Sequence, residues 1–213
     1  MSDPRVERGM ARMLELRAAR LADGATPIGW KIGFGAPAAF ELLGTDRPLV
    51  GFLTDRSLLE DGATANVGDW TTPMLEPEIA VYISDDLTIG GLAAAIELAD
   101  LDPPPADPEA ILAGNIYHRH VLLGPVDRTR TSADGITMRL TRDGEEIAAT
   151  DTPEALTGKL ADVVRLTAEA LGEHLRPGDV VITGSTVPPV RVAPGERISA
   201  DLGPLGALTV VLA

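Results

Sequence analysis

The chain has 213 residues, a formal net charge of −14 and no cysteine. This charge argues against nucleic acid and anionic membrane surfaces as partners, because Coulomb repulsion opposes both. The absence of cysteine excludes disulfides, thiolate nucleophiles and thiolate metal sites, and it fits a reducing compartment such as the cytoplasm. No apolar run approaches the ~20 residues that span a bilayer. We therefore expect a soluble, cytoplasmic protein.

Periodicity and turn residues predict the elements of the first part of the chain. Residues 4–22 have the spacing of an amphipathic helix, and the apolar segment "IGWKIGF" after them predicts a buried strand. A short helix is expected at "PAAFELLG", with Pro37 near its start and Gly44 at its end. Further strands are predicted at "LVGFLT", "LEPEIAVYI", "GITMRLTR" and "EIAAT", the last two joined by a turn at Asp143 and Gly144.

One long amphipathic helix is predicted in the second half, at residues 154–175, with Leu156 in its apolar stripe and Thr167 as the polar member of that stripe. "AAAIELAD" has a helix-like composition, and "LDPPPADP" predicts a proline-rich loop. "RPGDVVITGS" predicts a strand, and the C-terminal "ERISADLGPLGALTVVLA" predicts a strand pair. Many short strands and few helices indicate an α+β protein dominated by sheet. We expect an N-terminal helical segment at 1–28 and one domain at 29–213.

Two acidic residues stand at the head of the strand "LEPEIAVYI". Glu76 and Glu78 are two residues apart, so both carboxylates project from one face of the strand. That arrangement is costly without a positive charge between them, and an oxygen-liganded Mg²⁺ or Mn²⁺ is the simplest compensation. Glu97, in the helix-like segment, is the candidate for a third ligand. Alternatively, the pair contacts arginines at a solvated strand end and Glu97 lies on a helix surface.

Pro77, between the two glutamates, has no N–H to donate to a neighbouring strand. It therefore suggests a position at the edge of the sheet or at the start of the strand.

Lys31 lies in "GWKIGFG", an apolar stretch closed by glycines. Either its stem packs on Trp30 while the ammonium reaches water, or the ammonium stays inside. Beside a metal-binding carboxylate cluster, it would bind a substrate carboxylate or stabilise a developing enolate. Schiff-base chemistry is less attractive, because a metal would already act as the electron sink.

From about Gly29 to its end, the chain resembles the fumarylacetoacetate hydrolase superfamily, in its branch of 2-keto-4-pentenoate hydratases and 2-oxo-3-hexenedioate decarboxylases. The segments that carry the resemblance are "GWKIGFG", "VGFLTD", "EPEIAVYISDDL", "AIELAD", "AGNIYHRHVLLG" and the block beginning "RPGDVVITGS". The resemblance implies a mixed β-roll of the fumarylacetoacetase C-terminal-domain type with a few flanking helices. It also implies a bound Mg²⁺ or Mn²⁺ with ligands Glu76, Glu78 and Glu97.

The same resemblance implies a metal-dependent hydratase of 2-hydroxy-2,4-dienoate or 2-keto-4-pentenoate acids in aromatic catabolism, and a homo-oligomer. Lys31 and Asp55 are expected to line the pocket, with Asp55 as a general base. The residues expected near the substrate are Asn115, Thr183, Gly184, Ser185, His118 and His120. A 2-oxo acid decarboxylase, a C–C hydrolase of the same fold and a non-catalytic paralogue that partners an active subunit are the alternatives.

The segment "NIYHRH" departs from the small residues that the family favours there. His118 and His120 alternate, so on a strand they would point to the same side. The whole change, which places Ile116, Tyr117, His118, Arg119 and His120 here, would fill the pocket or present cations to a second carboxylate of a diacid substrate. A surface loop is the alternative.

Overall fold

The computed structural model describes residues 3–213. The strands in this range, in chain order, are β1 (Pro27–Gly33), β2 (Leu49–Thr54), β3 (Leu58–Leu59), β4 (Thr64–Ala65), β5 (Pro73–Ile83), β6 (Ile89–Asp100), β7 (His118–Leu123), β8 (Met138–Arg142), β9 (Glu145–Thr150), β10 (Val180–Ser185), β11 (Val190–Arg191), β12 (Arg197–Asp201) and β13 (Ala207–Leu212). The α-helices are α1 (Pro4–Ala22), α2 (Pro37–Leu43), α3 (Pro108–Ala113) and α4 (Leu160–Leu171).

The strands form two sheets. The larger has the order β2-β1-β10-β5-β6-β7-β3, with β11 beside β5, and the smaller has the order β4-β13-β12-β8-β9. In the larger sheet β1 runs parallel to β10, whereas β5 is antiparallel to both β10 and β6. The sheet is therefore mixed, as predicted.

The larger sheet is curled. Leu53 of β2 and Val121 of β7 belong to one buried cluster, although β1, β10, β5 and β6 lie between the two strands. Small side chains on this face, at Ala80, Ala93 and Ala95, leave room for the two ends of the sheet to approach. The α+β class and the β-roll architecture predicted from the sequence are confirmed.

The main core lies on the opposite face of the larger sheet. There, alternate residues of its strands, such as Trp30 and Ile96, pack in one cluster with Met138 and Val210 of the smaller sheet. The buried stripe of α4 joins the same cluster. Thr167 is tolerated in that stripe because its hydroxyl donates to the Val163 carbonyl, 2.7 Å away. The core thus fixes one face of the larger sheet and leaves the other to form the site.

Helix α1 forms where it was predicted, and it packs on the rest of the protein. Met13 is fully buried, and Gly9 fits against Leu112 of α3. The Arg17 guanidinium lies 4.7 Å from the centre of the Trp30 ring. The predicted boundary between residues 28 and 29 falls inside β1.

The predicted helix at 154–175 is shorter at both ends in the structure, because α4 begins at Leu160 and ends at Leu171, where a 3₁₀ turn (Gly172–His174) follows. Gly158 has a left-handed φ of +92°, and the Glu154 carboxylate accepts from the Leu160 N–H at 2.8 Å. Residues 153–157 are therefore turns that precede the helix.

The helix-like interpretation of "AAAIELAD" was wrong, because these residues belong to the strand β6. Both faces of β6 are buried, so its sequence does not alternate between apolar and polar residues. That uniform pattern is typical of a buried strand and of a buried helix alike.

Among the helices of the described residues, none combines the length and the apolar character needed to cross a membrane.

Candidate active site

The three predicted ligands meet on the curled face of the larger sheet. Glu76 and Glu78 project from the same face of β5, and the register of β5 with β6 sets Glu76 opposite Glu97. One carboxylate oxygen from each residue lies within 4.8 Å of the other two. Glu78 and Glu97 are fully buried, and Glu76 is partly exposed. Glu97 therefore completes the cluster from a strand.

The alternative partners for these acids are not found. Among the ion pairs of residues 3–213, none joins an arginine to Glu76 or Glu78. The two carboxylates are thus not a solvated strand end neutralised by arginine.

Pro77 lies in a central strand, contrary to the edge position suggested by the sequence. The neighbouring β10 adapts with a register shift between Ile182 and Ser185 opposite this part of β5. Because Pro77 has no N–H to donate, the ladder cannot continue regularly here. The irregularity turns the Gly184 N–H onto Glu78 Oε2, at 2.7 Å. Proline thus helps to shape the site from within the sheet.

Lys31 is held inside the site. Its side chain is only 3% exposed, and Nζ lies 2.5 Å from Glu97 Oε1. The same ammonium donates to the Ile116 carbonyl, 3.0 Å away. The ammonium therefore does not reach bulk water, and it neutralises one carboxylate of the cluster.

His118 also contacts Glu97, with 2.6 Å between Nδ1 and Oε1. Burial lowers the pKa of His118 in spite of the neighbouring carboxylate. The ring is therefore neutral, and its Nδ1–H donates to Glu97. Glu97 thus receives two hydrogen bonds on one oxygen, which fixes the orientation of its carboxylate.

The two histidines do not point to the same side, contrary to the sequence-based prediction. The register of β7 against β6 shifts by one residue, so His118 pairs with Ala99 but His120 pairs with Leu98. His118 thus shares the face of Glu97. His120 lies on the opposite face, where its ring stacks on Trp70 with 5.9 Å between the ring centres.

The electrostatics of the cluster show an excess of negative charge. Burial opposes ionisation of Glu97, but Lys31 and His118 together lower its pKa. Burial and the charge of Glu97 raise the pKa of Glu76 to about 7. Burial, Glu97 and Glu76 raise the pKa of Glu78 well above its ordinary value. One ammonium therefore does not compensate three carboxylates.

A divalent cation fits this cluster. Oε1 of Glu78 is buried and has no hydrogen-bond partner among the described residues, although Oε2 is bonded. A cation among the three glutamates would supply both the missing partner and the missing positive charge. Carboxylate oxygens are the donors that Mg²⁺ and Mn²⁺ prefer.

A cavity of about 190 Å³ opens beside the cluster. Lys31, Glu76, Glu97, Gly184 and Ser185 are among its lining residues. The apolar part of the wall is formed by Phe34, Leu101, Ile116, Leu156 and Val187, among others. The left-handed Gly184, with φ of +88°, has no room for a side chain, because a Cβ would lie 2.8 Å from Thr157 Cγ2.

Three of the predicted substrate and catalytic residues have structural contacts instead of facing the cavity. Asn115 is buried and clamps Phe52, accepting from its N–H at 2.8 Å and donating to its carbonyl at 3.0 Å. The Thr183 hydroxyl donates to the Ile79 carbonyl at 2.9 Å. Asp55 is exposed and accepts from the Thr26 N–H at 2.9 Å. Of the predicted set, Gly184 and Ser185 do line the cavity.

Ile116 and Tyr117 line the cavity, which fits the expectation that "NIYHRH" fills the pocket, but the sequence did not predict the turn that places them there. Residues 115, 116 and 117 all have left-handed φ angles, between 52° and 61°. Such angles are costly for β-branched and aromatic residues and cluster at functional sites. The tight turn brings the Ile116 carbonyl to Lys31. A signal was present in Gly33, where a Cβ would lie 2.6 Å from Ile116 Cγ2.

Comparison with known proteins identifies the family. The family model described as "Fumarylacetoacetate (FAA) hydrolase C-terminal" matches residues 37–213. The chain belongs to the fumarylacetoacetate hydrolase family. It is 30% identical over 212 residues to a 2-keto-4-pentenoate hydratase of Burkholderia vietnamiensis (strain G4 / LMG 22486), covering 89% of this chain and 79% of that protein.

Two 4-oxalocrotonate decarboxylases are also similar to this chain. A 4-oxalocrotonate decarboxylase of Pseudomonas sp is 25% identical over 212 residues, covering 91% of this chain and 82% of the relative. The solved structure of 4-oxalocrotonate decarboxylase from Pseudomonas putida G7, complexed with magnesium and adipate, superposes with a TM-score of 0.85 at 23% identity. The match covers 94% of this chain and 83% of that one. This likeness confirms the fold.

Proposed function

We propose that this member of the fumarylacetoacetate hydrolase family is a metal-dependent hydro-lyase. Its substrates are small acids of the 2-hydroxy-2,4-dienoate or 2-keto-4-pentenoate type, such as those formed in aromatic catabolism. The convergence of Glu76, Glu78 and Glu97 with Lys31 beside a cavity carries this proposal. The relative named 2-keto-4-pentenoate hydratase supports the reaction type.

The three glutamates would hold Mg²⁺ or Mn²⁺, which would supply Lewis-acid polarisation of the carboxylate and 2-oxygen of a 2-oxo acid. Lys31 then places a positive charge beside the substrate oxygen on which negative charge develops. Glu97 and the Ile116 carbonyl hold that ammonium in position. His118 contacts the same oxygen of Glu97 and helps to fix that carboxylate, so the charge is oriented before the substrate arrives.

No aspartate among residues 3–213 lines the cavity, so the role of general base is not assigned to Asp55. The carboxyl groups that line the cavity are those of Glu76 and Glu97. This observation keeps one alternative open, a 2-oxo acid decarboxylase, because departure of CO₂ needs an electron sink but no base to activate water. The relatives named 4-oxalocrotonate decarboxylase agree with that alternative.

The test is to incubate the purified protein with Mg²⁺ and a panel of 2-hydroxydienoates while following loss of the diene absorbance. We expect loss of absorbance with formation of the hydrated 2-oxo acid, and none after chelation. Release of CO₂ from a dicarboxylic member of the panel, such as 2-hydroxyhexa-2,4-dienedioate, would instead establish the decarboxylase. Tight metal binding without any turnover across the panel would contradict both reactions.

Glu78→Gln provides the matched variant for this test. The change removes one ligand charge but keeps the shape of the side chain, and Gly184 can still donate to the amide oxygen. We expect metal binding, measured by titration calorimetry, to weaken beyond detection while the circular dichroism spectrum is unchanged. Unchanged metal affinity would remove Glu78 from the ligand set. Absence of a stoichiometric divalent ion in the unmodified protein would favour the non-catalytic alternative.

We further propose that the protein acts in the cytoplasm and forms homo-oligomers. The lack of cysteine supports the first. The family resemblance and the exposed apolar side chains of Leu42 and Leu58 support the second.

A further inference from the structure

Apart from the glutamates and Lys31, most side chains that line the cavity are apolar, including Phe34, Leu101, Leu156 and Val187. Tyr117, Thr157 and Ser185 add neutral hydroxyls. Leu156 comes from the turns before α4, and Phe34 follows β1, so separate segments contribute to the same apolar surface. Lys31 is the one cationic side chain of the wall within residues 3–213. Its ammonium lies at the cluster, bonded to Glu97.

The basic segment at residues 118–120 does not supply a second cation to this wall. His118 Nδ1 lies 2.6 Å from Glu97 Oε1, and the ring is not among the residues that line the cavity. Arg119 is half exposed and pairs with Asp100 at 3.3 Å. His120 stacks on Trp70 on the opposite face of the sheet. None of the three residues lines the cavity.

A carboxylate at the far end of a substrate would therefore meet no cationic side chain in this part of the wall, and its partners would be neutral hydroxyls such as those of Tyr117 and Thr157. Burial of an unpaired carboxylate in apolar surroundings is strongly unfavourable. An alkyl or alkenyl tail at the same place gains from leaving water.

We propose that the site selects 2-oxo acids that carry one carboxylate and a short apolar tail, and discriminates against dicarboxylic acids of the same length. This inference rests on the proposed function, because it assumes that the 2-oxo carboxylate end binds at the glutamate cluster. It assigns specificity to Phe34, Leu101, Leu156 and Val187. It also favours the hydratase over the decarboxylation of a diacid.

The test compares two unreactive ligands that share the 2-oxo carboxylate end and the chain length, 2-oxohexanoate and 2-oxoadipate. Each is titrated calorimetrically into the Mg²⁺-loaded full-length protein. We expect 2-oxohexanoate to bind at least ~10-fold more tightly. Equal binding, or tighter binding of 2-oxoadipate, would overturn the inference and leave the proposed function standing. Failure of both ligands to bind would overturn the proposed function, and the inference with it.

A second measurement introduces a positive charge into the cavity wall and asks whether the preference between the two ligands is reversed. Leu156 is partly exposed and lies outside regular secondary structure, so Leu156→Arg is tolerable to the fold. We expect this variant to bind 2-oxoadipate more tightly than 2-oxohexanoate. Leu156→Gln, which is polar but uncharged, should weaken binding of 2-oxohexanoate without any gain for 2-oxoadipate. If Leu156→Arg leaves the preference of the unmodified protein unchanged, Leu156 does not contact the tail and its assignment is wrong.

Discussion

The contact between Lys31 and Glu97 links the stability of the protein to its chemistry. Both side chains are almost fully buried, so each charge depends on the other for compensation. Removal of one partner from such a pair leaves an uncompensated charge and typically costs about 3–5 kcal/mol. In the proposed function, the same ammonium would stabilise negative charge on a substrate. Structural and catalytic effects of Lys31 therefore have to be separated by experiment.

A comparison of the single variant Lys31→Met with the double variant Lys31→Met/Glu97→Gln separates the structural effect of Lys31 from its catalytic effect. We expect Lys31→Met alone to destabilise the metal-free protein by about 3–5 kcal/mol in chemical denaturation. The double variant should recover most of this loss, because it removes the buried charge as well. Turnover of the single variant with saturating Mg²⁺ should fall about 10²- to 10³-fold, as for loss of an oxyanion donor. Full turnover in Lys31→Met would show that the ammonium has only a structural role.

Glu76 gives the metal-free protein a distinctive pH dependence. Burial and the charge of Glu97 raise its pKa from 4.5 to about 7, so the folded state holds a proton that the unfolded chain has released. The resulting stabilisation is complete below pH 4.5 and is lost as the pH rises through about 7. Between these values, the stability difference between wild type and Glu76→Gln should change by up to about 1.4 kcal/mol per pH unit. Denaturation of both metal-free proteins at several pH values measures this difference, and a constant difference would contradict the expectation.

Most members of the carboxylate cluster could be predicted from the sequence, but the contacts that support them could not. The two-residue spacing of Glu76 and Glu78 determines their common face in any strand. Lys31 stood out as a lysine in an apolar segment. The contact of His118 with Glu97 depends on a one-residue register shift against β6. Such a shift results from the pairing of two strands, and the sequence of β7 alone contains no sign of it.

Among the helices and strands around the site, some were predicted correctly from the sequence and others were not. Strand β5 and helix α2 lie where their patterns predicted, with Gly44 in the left-handed conformation after α2. Strand β6 was mistaken for a helix, since its alanines favour a helix locally and only pairing with β5 and β7 makes it a strand. The start of α4 was misplaced, since Glu154 caps it from a preceding turn.

The turn between α3 and β7 is an element whose geometry can be tested. Asn115 anchors it with two buried hydrogen bonds to the Phe52 backbone. Asn115→Ala would leave the Phe52 N–H and carbonyl unpaired, which costs about 1–3 kcal/mol for a buried group. The Ile116 carbonyl would also lose its fixed position against Lys31, so we expect turnover to fall with stability.

Denaturant unfolding and turnover of Asn115→Ala, compared with Asn66→Ala, provide the measurement. Asn66 accepts only from the nearby Gly68 N–H at an exposed position, so its substitution should change neither quantity appreciably. If Asn115→Ala behaves like the control, the clamp does not hold the turn.

The site lies on one face of the curled larger sheet, and the pairing of its strands requires small residues at particular positions. Gly29 illustrates this requirement, because a Cβ there would lie 1.9 Å from the Val180 carbonyl oxygen. The close approach of β1 and β10 brings Lys31 alongside Ile182, just before the irregularity at Gly184. Composition indicated an α+β protein, and the family resemblance implied the roll. The order of the strands follows from packing of distant segments, which no local pattern specifies.

The edges of the two sheets make the assembly state a testable property of the whole molecule. The edge strand β9 carries Glu145 and Glu146, and such charges discourage pairing with another chain. The edge strand β3, by contrast, exposes the apolar side chain of Leu58, which favours contact with another chain. We expect light scattering to give a multiple of the 22.3 kDa chain mass. Leu58→Glu should shift the mass towards 22.3 kDa, whereas Ile147→Glu on the protected β9 should not. A wild-type mass of 22.3 kDa would rule out the homo-oligomer.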